Sequence, residues 1–366
     1  MFTGHALHSF RKQLLGWFSQ FKRDLPWRLD KDPYRIWISE IMLQQTRVVA
    51  AIPFYERFLT HFPGVATLAT APEQEVLRLW SGLGYYSRAR NLQKAARQIV
   101  AQHQGVFPNR HEQVLALPGI GPYTAAAILS IAHGQTYAVL DGNVARVISR
   151  LGAISGNLRT NQRWQQLQQL ADNLLDPRAP GDWNQAMMEL GATVCTPRSP
   201  QCLLCPVNKS CEARKLGLVS SIPEKRNKRA TLGITLAALV LVDKKGTTLL
   251  LAPPISPSRS KMHSQIAPLL SRLWHFPTIE VSQDAVKEAK AYLEANLLHG
   301  TKIRETLVPL KRVRHSVTHH DITLLPFRLE LAALPNIPHS KKFPLTDLSS
   351  VPISNLTRKV ARSAQG

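Results

Sequence analysis

All four cysteines of the 366-residue chain fall in one short stretch, CTPRSPQCLLCPVNKSC, as Cys195, Cys202, Cys205 and Cys211, with six, two and five residues between them. Crowded together in this way, they cannot staple a large fold with disulfides. They can wrap a single metal centre, because each thiolate is a soft anionic ligand and a short loop loses little entropy on closing. Zinc is one occupant such a loop could take. Structural zinc loops usually carry two CxxC knuckles, however, and only Cys202 and Cys205 are so paired; an iron–sulfur cluster is the other reading. The preceding GDWNQAMMELGATVC reads as a helix delivering Cys195, with Asp182 as its N-cap and Gln185 three positions on.

From Leu7 to about Leu218 apolar residues recur at helical spacing, in segments such as PEQEVLRLWSGLG, SRARNLQKAARQIVAQHQG and NQRWQQLQQLADNLL. Residues 1–220 are therefore expected to form an all-α domain. The polar, basic stretch SSIPEKRNKRA predicts a linker over 221–230, and residues 231–366 change character. There TLGITLAALVLVD and TTLLLA read as strands, DAVKEAKAYLEANLL as a helix and SVTHHDITLLPFRLEL as strands again, an α+β pattern. Lysine and arginine outnumber aspartate and glutamate 46 to 24, with the excess in both halves. A net charge of +22 favours a polyanionic partner, nucleic acid being the commonest. No run is long enough to span a membrane, since LGITLAALVLV falls well short of the roughly 20 apolar residues required. The amino terminus lacks a signal-peptide layout and is compact, so a bacterial cytoplasmic location is expected; the chain is expected to be a monomer.

Three further stretches carry chemistry. In LPGIGPYTAAAILSIA, Gly119 and Gly121 allow a tight turn and Pro122 suits a first helical position. This reads as a helix–hairpin–helix, whose free amides can hold a DNA phosphate without reading sequence. An ordinary corner between two helices is the plainer alternative. Asp141, in YAVLDGNVARVISR, follows on a turn directly before a helix, where it can cap that helix and also face DNA. Glu40 stands in ISEIMLQQT among Ile38, Ile41, Met42 and Leu43. An acid in such company is poorly hydrated, which favours its protonated form, whereas Asp141 among amides stays ionised more readily. Two carboxylates so divided can share one reaction, the protonated one as a general acid and the ionised one as a stabiliser of developing positive charge. The plainer role for Glu40 is a helix-surface contact, although no basic residue stands at the next turn.

Hairpin, aspartate and cysteine loop, in that order, resemble the endonuclease III superfamily of DNA glycosylases, whose loop of this spacing holds a [4Fe–4S] cluster. Within it, PWR at 26–28, SEIMLQQT at 39–46, GLGYYSRARNL at 82–92, LPGIGPYT and LDGNV are similar to the adenine DNA glycosylase family along nearly the whole chain. The resemblance implies that Glu40 protonates adenine, that Asp141 stabilises or transiently bonds the sugar cation, and that Tyr123 and Asn143 position the sugar and the two acids. It further implies that Trp27 and Arg28 line the adenine pocket, and that Gln45, Thr46 and Tyr85 meet a partner 8-oxoguanine. Bifunctional endonuclease III-like enzymes, the rival reading as pyrimidine glycosylases, carry a nucleophilic lysine where Tyr123 stands here. A monofunctional enzyme is therefore expected. A non-catalytic iron–sulfur DNA-binding protein is the third possibility, and Glu40→Gln separates it from the enzymes.

The carboxy-terminal half resembles that family's Nudix-like lesion-recognition domain at LWHFP, 273–277, and RHSVTHHDITL, 314–324. The implied substrate is duplex DNA carrying adenine opposite 8-oxoguanine or guanine. Its helix lacks the packed acids that would bind magnesium, so nucleotide hydrolysis is not expected. Where the family commonly has Phe-Ser-His this chain has Val317, Thr318 and His319, which keeps a hydroxyl at Thr318 and removes an aromatic wedge. Strand alternation through this segment predicts His315, His319 and Asp321 on one face and His320 on the other, and hence no metal site.

Overall fold

Proline and glycine fix where the helices of the first half start and stop. In this computed structural model residues 3–224, 231–252, 273–298, 302–317 and 320–365 are described. The first half runs through α1 (Gly4–Phe21), α2 (Pro33–Leu43), α3 (Val48–His61), α4 (Val65–Thr70), α5 (Glu73–Trp80), α6 (Ser87–His103), α7 (His111–Leu115), α8 (Pro122–His133), α9 (Gly142–Leu151), α10 (Asn161–Leu174), α11 (Pro180–Thr193) and α12 (Glu212–Lys215). Proline opens α2, α8 and α11 in the first turn, where its missing N–H would have had no helical partner. Asp32 caps α2 by accepting from the Tyr34 amide at 2.8 Å. In α11 the same logic corrects the expected start. Pro180 takes the first position and Ala179 the cap, which leaves Asp182 inside the first turn.

Two compact units result, one of Met1–Thr70 with Asn91–Asn227, the other of Ala71–Arg90 with Lys228–Gly366. The helical unit closes around Phe10, Leu14, Trp183, Met187, Val147 and Ile148, which α1, α9 and α11 bring together. Its hairpin joins α7 to α8. Gly119 holds φ at +81°, and a Cβ there would meet Asn91 Cβ at 2.8 Å, so glycine is required twice over. Gly121, at φ −103°, has a backbone any residue can adopt and is not required by conformation.

The second unit is built on a seven-stranded mixed sheet among the described residues. Its path is β4 (Val308–Pro309), β6 (His320–Leu331), β1 (Leu232–Asp243), β2 (Thr247–Leu251) and β7 (Ser340–Pro344), with β3 (Thr278–Glu280) on β1 and β5 (Val313–Val317) on β6. β1 runs parallel to β6 from Leu232 opposite His320 to Asp243 opposite Leu331. Both faces of β1 are covered, which explains its unbroken apolar run. Leu236, Ala238 and Val240 pack against helix residues Leu356, Val360 and Ala361, while Ala237, Leu239 and Leu241 pack on the side of Ala289 and Leu293. The helices concerned are α13 (Ala285–Tyr292), which continues into a π-helical turn over Leu293–Leu297, and α14 (Asn355–Gln365). α14 was not among the elements read from sequence, because its basic surface masks the buried stripe of Leu356, Thr357, Val360 and Ala361.

Segment 71–90 belongs to this second unit although it lies within the helical half of the sequence. The histidine alternation also needs correcting. β5 and β6 form a hairpin pairing Val317 with His320, Ser316 with Asp321 and His315 with Ile322, so His315 and His320 share a face while Asp321 sits on the other with Ser316. A single alternation cannot be carried through a chain reversal. Thr318 and His319 lie outside the described residues. No group of three or more metal-ligating side chains is arranged to hold an ion among the described residues.

Candidate active site

Helix α2 is buried almost throughout, from Tyr34 through Ile36 to Met42, and Glu40 is buried with it at 7% exposure. Burial pushes its carboxyl up to about 7. A hydrogen bond with the Tyr123 hydroxyl opposes that shift, the Asp141 charge adds to it, and the Arg28 guanidinium opposes it. At neutral pH a group so placed is divided between its protonated and ionised forms, so a proton is available from it.

Asp141 is the N-cap of α9, its Oδ1 accepting from the Val144 amide at 2.7 Å and its Oδ2 from Asn143 Nδ2 at 3.0 Å. Burial raises this carboxyl too, but those bonds favour the anion and work against the rise. The two acids are thus held in the different environments the sequence suggests. Asn143 is itself fixed. Its Oδ1 accepts from Arg146 Nη2 at 2.9 Å, and α11 approaches so closely that a Cβ at Gly191 would lie 2.7 Å from Asn143 Cβ. Arg146 also donates to the Cys195 carbonyl from Nε at 2.8 Å, so the cysteine loop and the Asp141 turn are tied through one guanidinium.

A cavity of about 540 Å³ is lined by Glu40, Asp141, Tyr123, Asn143, Trp27 and Arg28, and also by Gln45 and Thr46. Eight of the residues singled out in the sequence therefore meet in one place. Tyr123, at the start of α8, is held well above the ordinary tyrosine range by burial and by the charges of Glu40 and Asp141, and its hydroxyl also lies 3.1 Å from Met188 Sδ. Trp27 packs edge-on against Tyr55 with ring centroids 5.4 Å apart. Gln45 holds a left-handed φ of +59°, a strained conformation for a residue with a side chain. Tyr85, Gly119 and Gly121 are not among the cavity's lining residues; Tyr85 belongs to the second unit, exposed at 44% with φ +48°. Thr318 lies outside the described residues.

Sequence reasoning did not single out Glu189 and Arg23 and read Gln185 only as a capping partner of Asp182, yet all three line the cavity. Glu189 is 1% exposed and takes Arg23 Nε at 2.6 Å, Arg23 Nη2 at 2.9 Å and Arg28 Nη2 at 2.9 Å. Burial alone would raise its carboxyl; the two guanidiniums outweigh that and hold it below the usual range. Arg28 is completed by Gln185 Oε1 at 3.0 Å from its Nε. The signal was present in WNQAMMEL, where an acid and an amide four residues apart sit in an apolar helix, the same signal that drew attention to Glu40.

The four cysteines line a second, small cavity of about 30 Å³ together with Arg150 and Arg214. All four thiols are free, and burial pushes Cys205 up to about 12, with the other three cysteines adding to the rise. Arg150 Nη1 lies 3.4 Å from Cys195 Sγ. The four thiols line one void with guanidinium charge beside them, although they are not arranged here as a ready ion site; on losing their protons they would offer four soft anionic donors, a chemistry that suits a cluster of net negative charge.

The HhH-GPD superfamily of base excision DNA repair proteins matches residues 38–177. Adenine DNA glycosylase of Homo sapiens is 50% identical over 216 residues, 57% of this chain and 40% of that protein. The adenine DNA glycosylase of Buchnera aphidicola subsp. Schizaphis graminum is 30% identical over 342 residues, 92% of either chain. Among solved structures, a thermostable thymine-DNA glycosylase superposes with a TM-score of 0.53 at 30% identity, covering 57% of this chain and 97% of that one. The chain spans under half the length of the human relative and, at 44%, of the rat relative. With a match extending over nine-tenths of both chains at that identity, this protein belongs to the adenine DNA glycosylase family.

Proposed function

We propose that the protein is a monofunctional DNA glycosylase that releases adenine mispaired with 8-oxoguanine, or less strictly with guanine, in duplex DNA. The observation that carries this reading is one cavity holding both a buried Glu40, its carboxyl pushed up to about 7, and Asp141, which caps α9 and accepts hydrogen bonds from two amides. An adenine turned out of the helix enters that cavity. Glu40 donates its proton to a ring nitrogen, N7 by family resemblance, so that the bond from C1′ to N9 breaks with its electron pair leaving on a neutral base. Asp141, ionised, stabilises the sugar cation, and Asn143 holds that carboxylate in place. Water then adds at C1′ and gives its proton to the Glu40 carboxylate, restoring the acid. Among the described residues lining the cavity none is a lysine and Tyr123 stands at the start of α8, so no amine is at hand there for a Schiff base and no efficient strand cleavage is expected.

The cysteine loop is proposed to hold a [4Fe–4S] cluster on Cys195, Cys202, Cys205 and Cys211. Bound there, the cluster would brace the loop and α12, and with them basic side chains such as Arg198 and Lys209. The mixed sheet is proposed to be the Nudix-like reader of the partner base through Thr318, and Gln45, Thr46 and Tyr85 are proposed to meet that base as well. The test is Glu40→Gln. Single-turnover adenine release should fall by about 100-fold or more while duplex affinity stays within a few-fold of wild type. Release at the wild-type rate would remove Glu40 from the mechanism.

A further inference from the structure

The loop that presents Tyr85 is bent through three left-handed residues, with φ of +117° at Gly82, +73° at Gly84 and +48° at Tyr85. A tyrosine keeps such a backbone only where its surroundings over-determine it. Those surroundings come from the far end of the chain. Ser81 Oγ donates to the Ile353 carbonyl at 2.7 Å, and the Tyr86 hydroxyl donates to the same oxygen at 3.2 Å while accepting from the Gly82 amide at 3.3 Å. Asn355 Nδ2 donates to the Gly82 carbonyl at 3.0 Å, and Arg358 Nη2 donates to Ser81 Oγ at 2.9 Å. Asn355 and Arg358 are three residues apart in the first turn of α14 and so lie on one face of it. From within the loop, Arg88 lies over the Trp80 and Tyr85 rings, 5.5 and 5.4 Å from their centroids, and its Nη2 reaches the Gly84 carbonyl at 3.3 Å.

We propose that Asn355 and Arg358 are positioning residues for the Tyr85 loop, through which the sheet unit controls adenine release as well as reading the partner base. The proposal rests on the glycosylase reading above. Tyr85 is exposed and aromatic, fit to stack on a base, and its loop is anchored to the sheet unit by side chains that touch no reacting atom. Placing the sheet unit on DNA and placing the Tyr85 ring are then one event, so a wrongly read partner base leaves the ring misplaced and turnover slow.

The experiment compares full-length, iron-loaded Asn355→Ala and Arg358→Ala with wild type, each also in a Tyr85→Ala background. Two quantities are read: single-turnover adenine release opposite 8-oxoguanine and opposite guanine, and hydrogen exchange at the amides of residues 82–86 in free protein. Each single change should speed exchange in the loop, leave α8 unaffected and slow release by about tenfold. In the Tyr85→Ala background the further loss should vanish, because the anchor acts only through that ring. Losses that simply add, or a loop whose exchange is unchanged, would overturn the proposal. Should Arg358→Ala fold poorly, Asn355→Ala removes a single hydrogen bond and decides alone. If wild type releases no adenine, the glycosylase reading falls and the link to turnover with it, while faster exchange would still establish the anchor.

Discussion

In the proposed mechanism Glu40 is the acid, and its burial has two consequences that can be measured separately. The first is a pH–rate profile. Because the acid must be protonated to act and titrates at about 7, the rate should hold below that value and fall as pH rises through it. The acid limb reports Asp141, whose raised carboxyl must be ionised, so that limb should lie above the ordinary aspartate value of 3.8. Tyr123→Phe removes a hydrogen bond that lowers the Glu40 value, and the basic limb should move to higher pH. A limb that stays put would mean the Tyr123 hydroxyl does not touch the acid. The second consequence is stability. The carboxyl titrates at about 7 when folded against an ordinary 4.5, so between those values the unfolded chain has released a proton that the folded chain keeps, and stability falls as pH rises across this window. Glu40→Gln escapes that loss. Its melting temperature should exceed wild type at pH 8 but not at pH 4, by the equivalent of roughly 3 kcal/mol. Equal melting at both pH values would contradict the raised value.

Among the helices, the turn before α8 and the crossing of α9 by α11 set the geometry of the site. Gly119→Ala meets both a left-handed φ and the Asn91 side chain, so it should destabilise by more than about 1 kcal/mol and weaken duplex binding, whereas Gly121→Ala should do little. Denaturant unfolding and a binding titration of the two variants check this. Much of this arrangement could be read in the sequence because it depends on local signals. Proline at helix starts, Asp141 before Gly-Asn, one acid among isoleucines and four clustered cysteines each mark a place without reference to the rest of the fold. What escaped were features decided by distant partners. Glu189 needed Arg23 and Arg28 from the other end of the helical unit to become a buried anion. The start of α11 was set by Pro180 rather than Asp182, and the alternation of His315, His320 and Asp321 was broken by a chain reversal invisible to periodicity. The grouping of 71–90 with the sheet depends on hydrogen bonds spanning some 270 residues, for which composition gives no sign.

Taken as one molecule, the chain joins a helical unit carrying both acids to a sheet unit carrying the Tyr85 loop, under a net charge of +22. Duplex affinity should therefore fall steeply with salt, the logarithm of the binding constant declining linearly with that of salt concentration. With the proposed cluster in place, Cys202→Ala should lower the iron bound per chain and weaken duplex binding before it alters the pH profile, since Cys202 lines the small cysteine cavity and not the cavity that holds the acids. Iron analysis alongside the binding titration tests that order. The most direct experiment is single-turnover adenine release by iron-loaded protein from duplexes with adenine opposite 8-oxoguanine, guanine or thymine, with borohydride present as a trap for covalent intermediates. Fast release opposite 8-oxoguanine, slower release opposite guanine, none opposite thymine and no trapped adduct is the expected result. Release of no adenine from any duplex, or a trapped amine adduct, would contradict it and leave the Glu40 and Asp141 cavity with a different base to process.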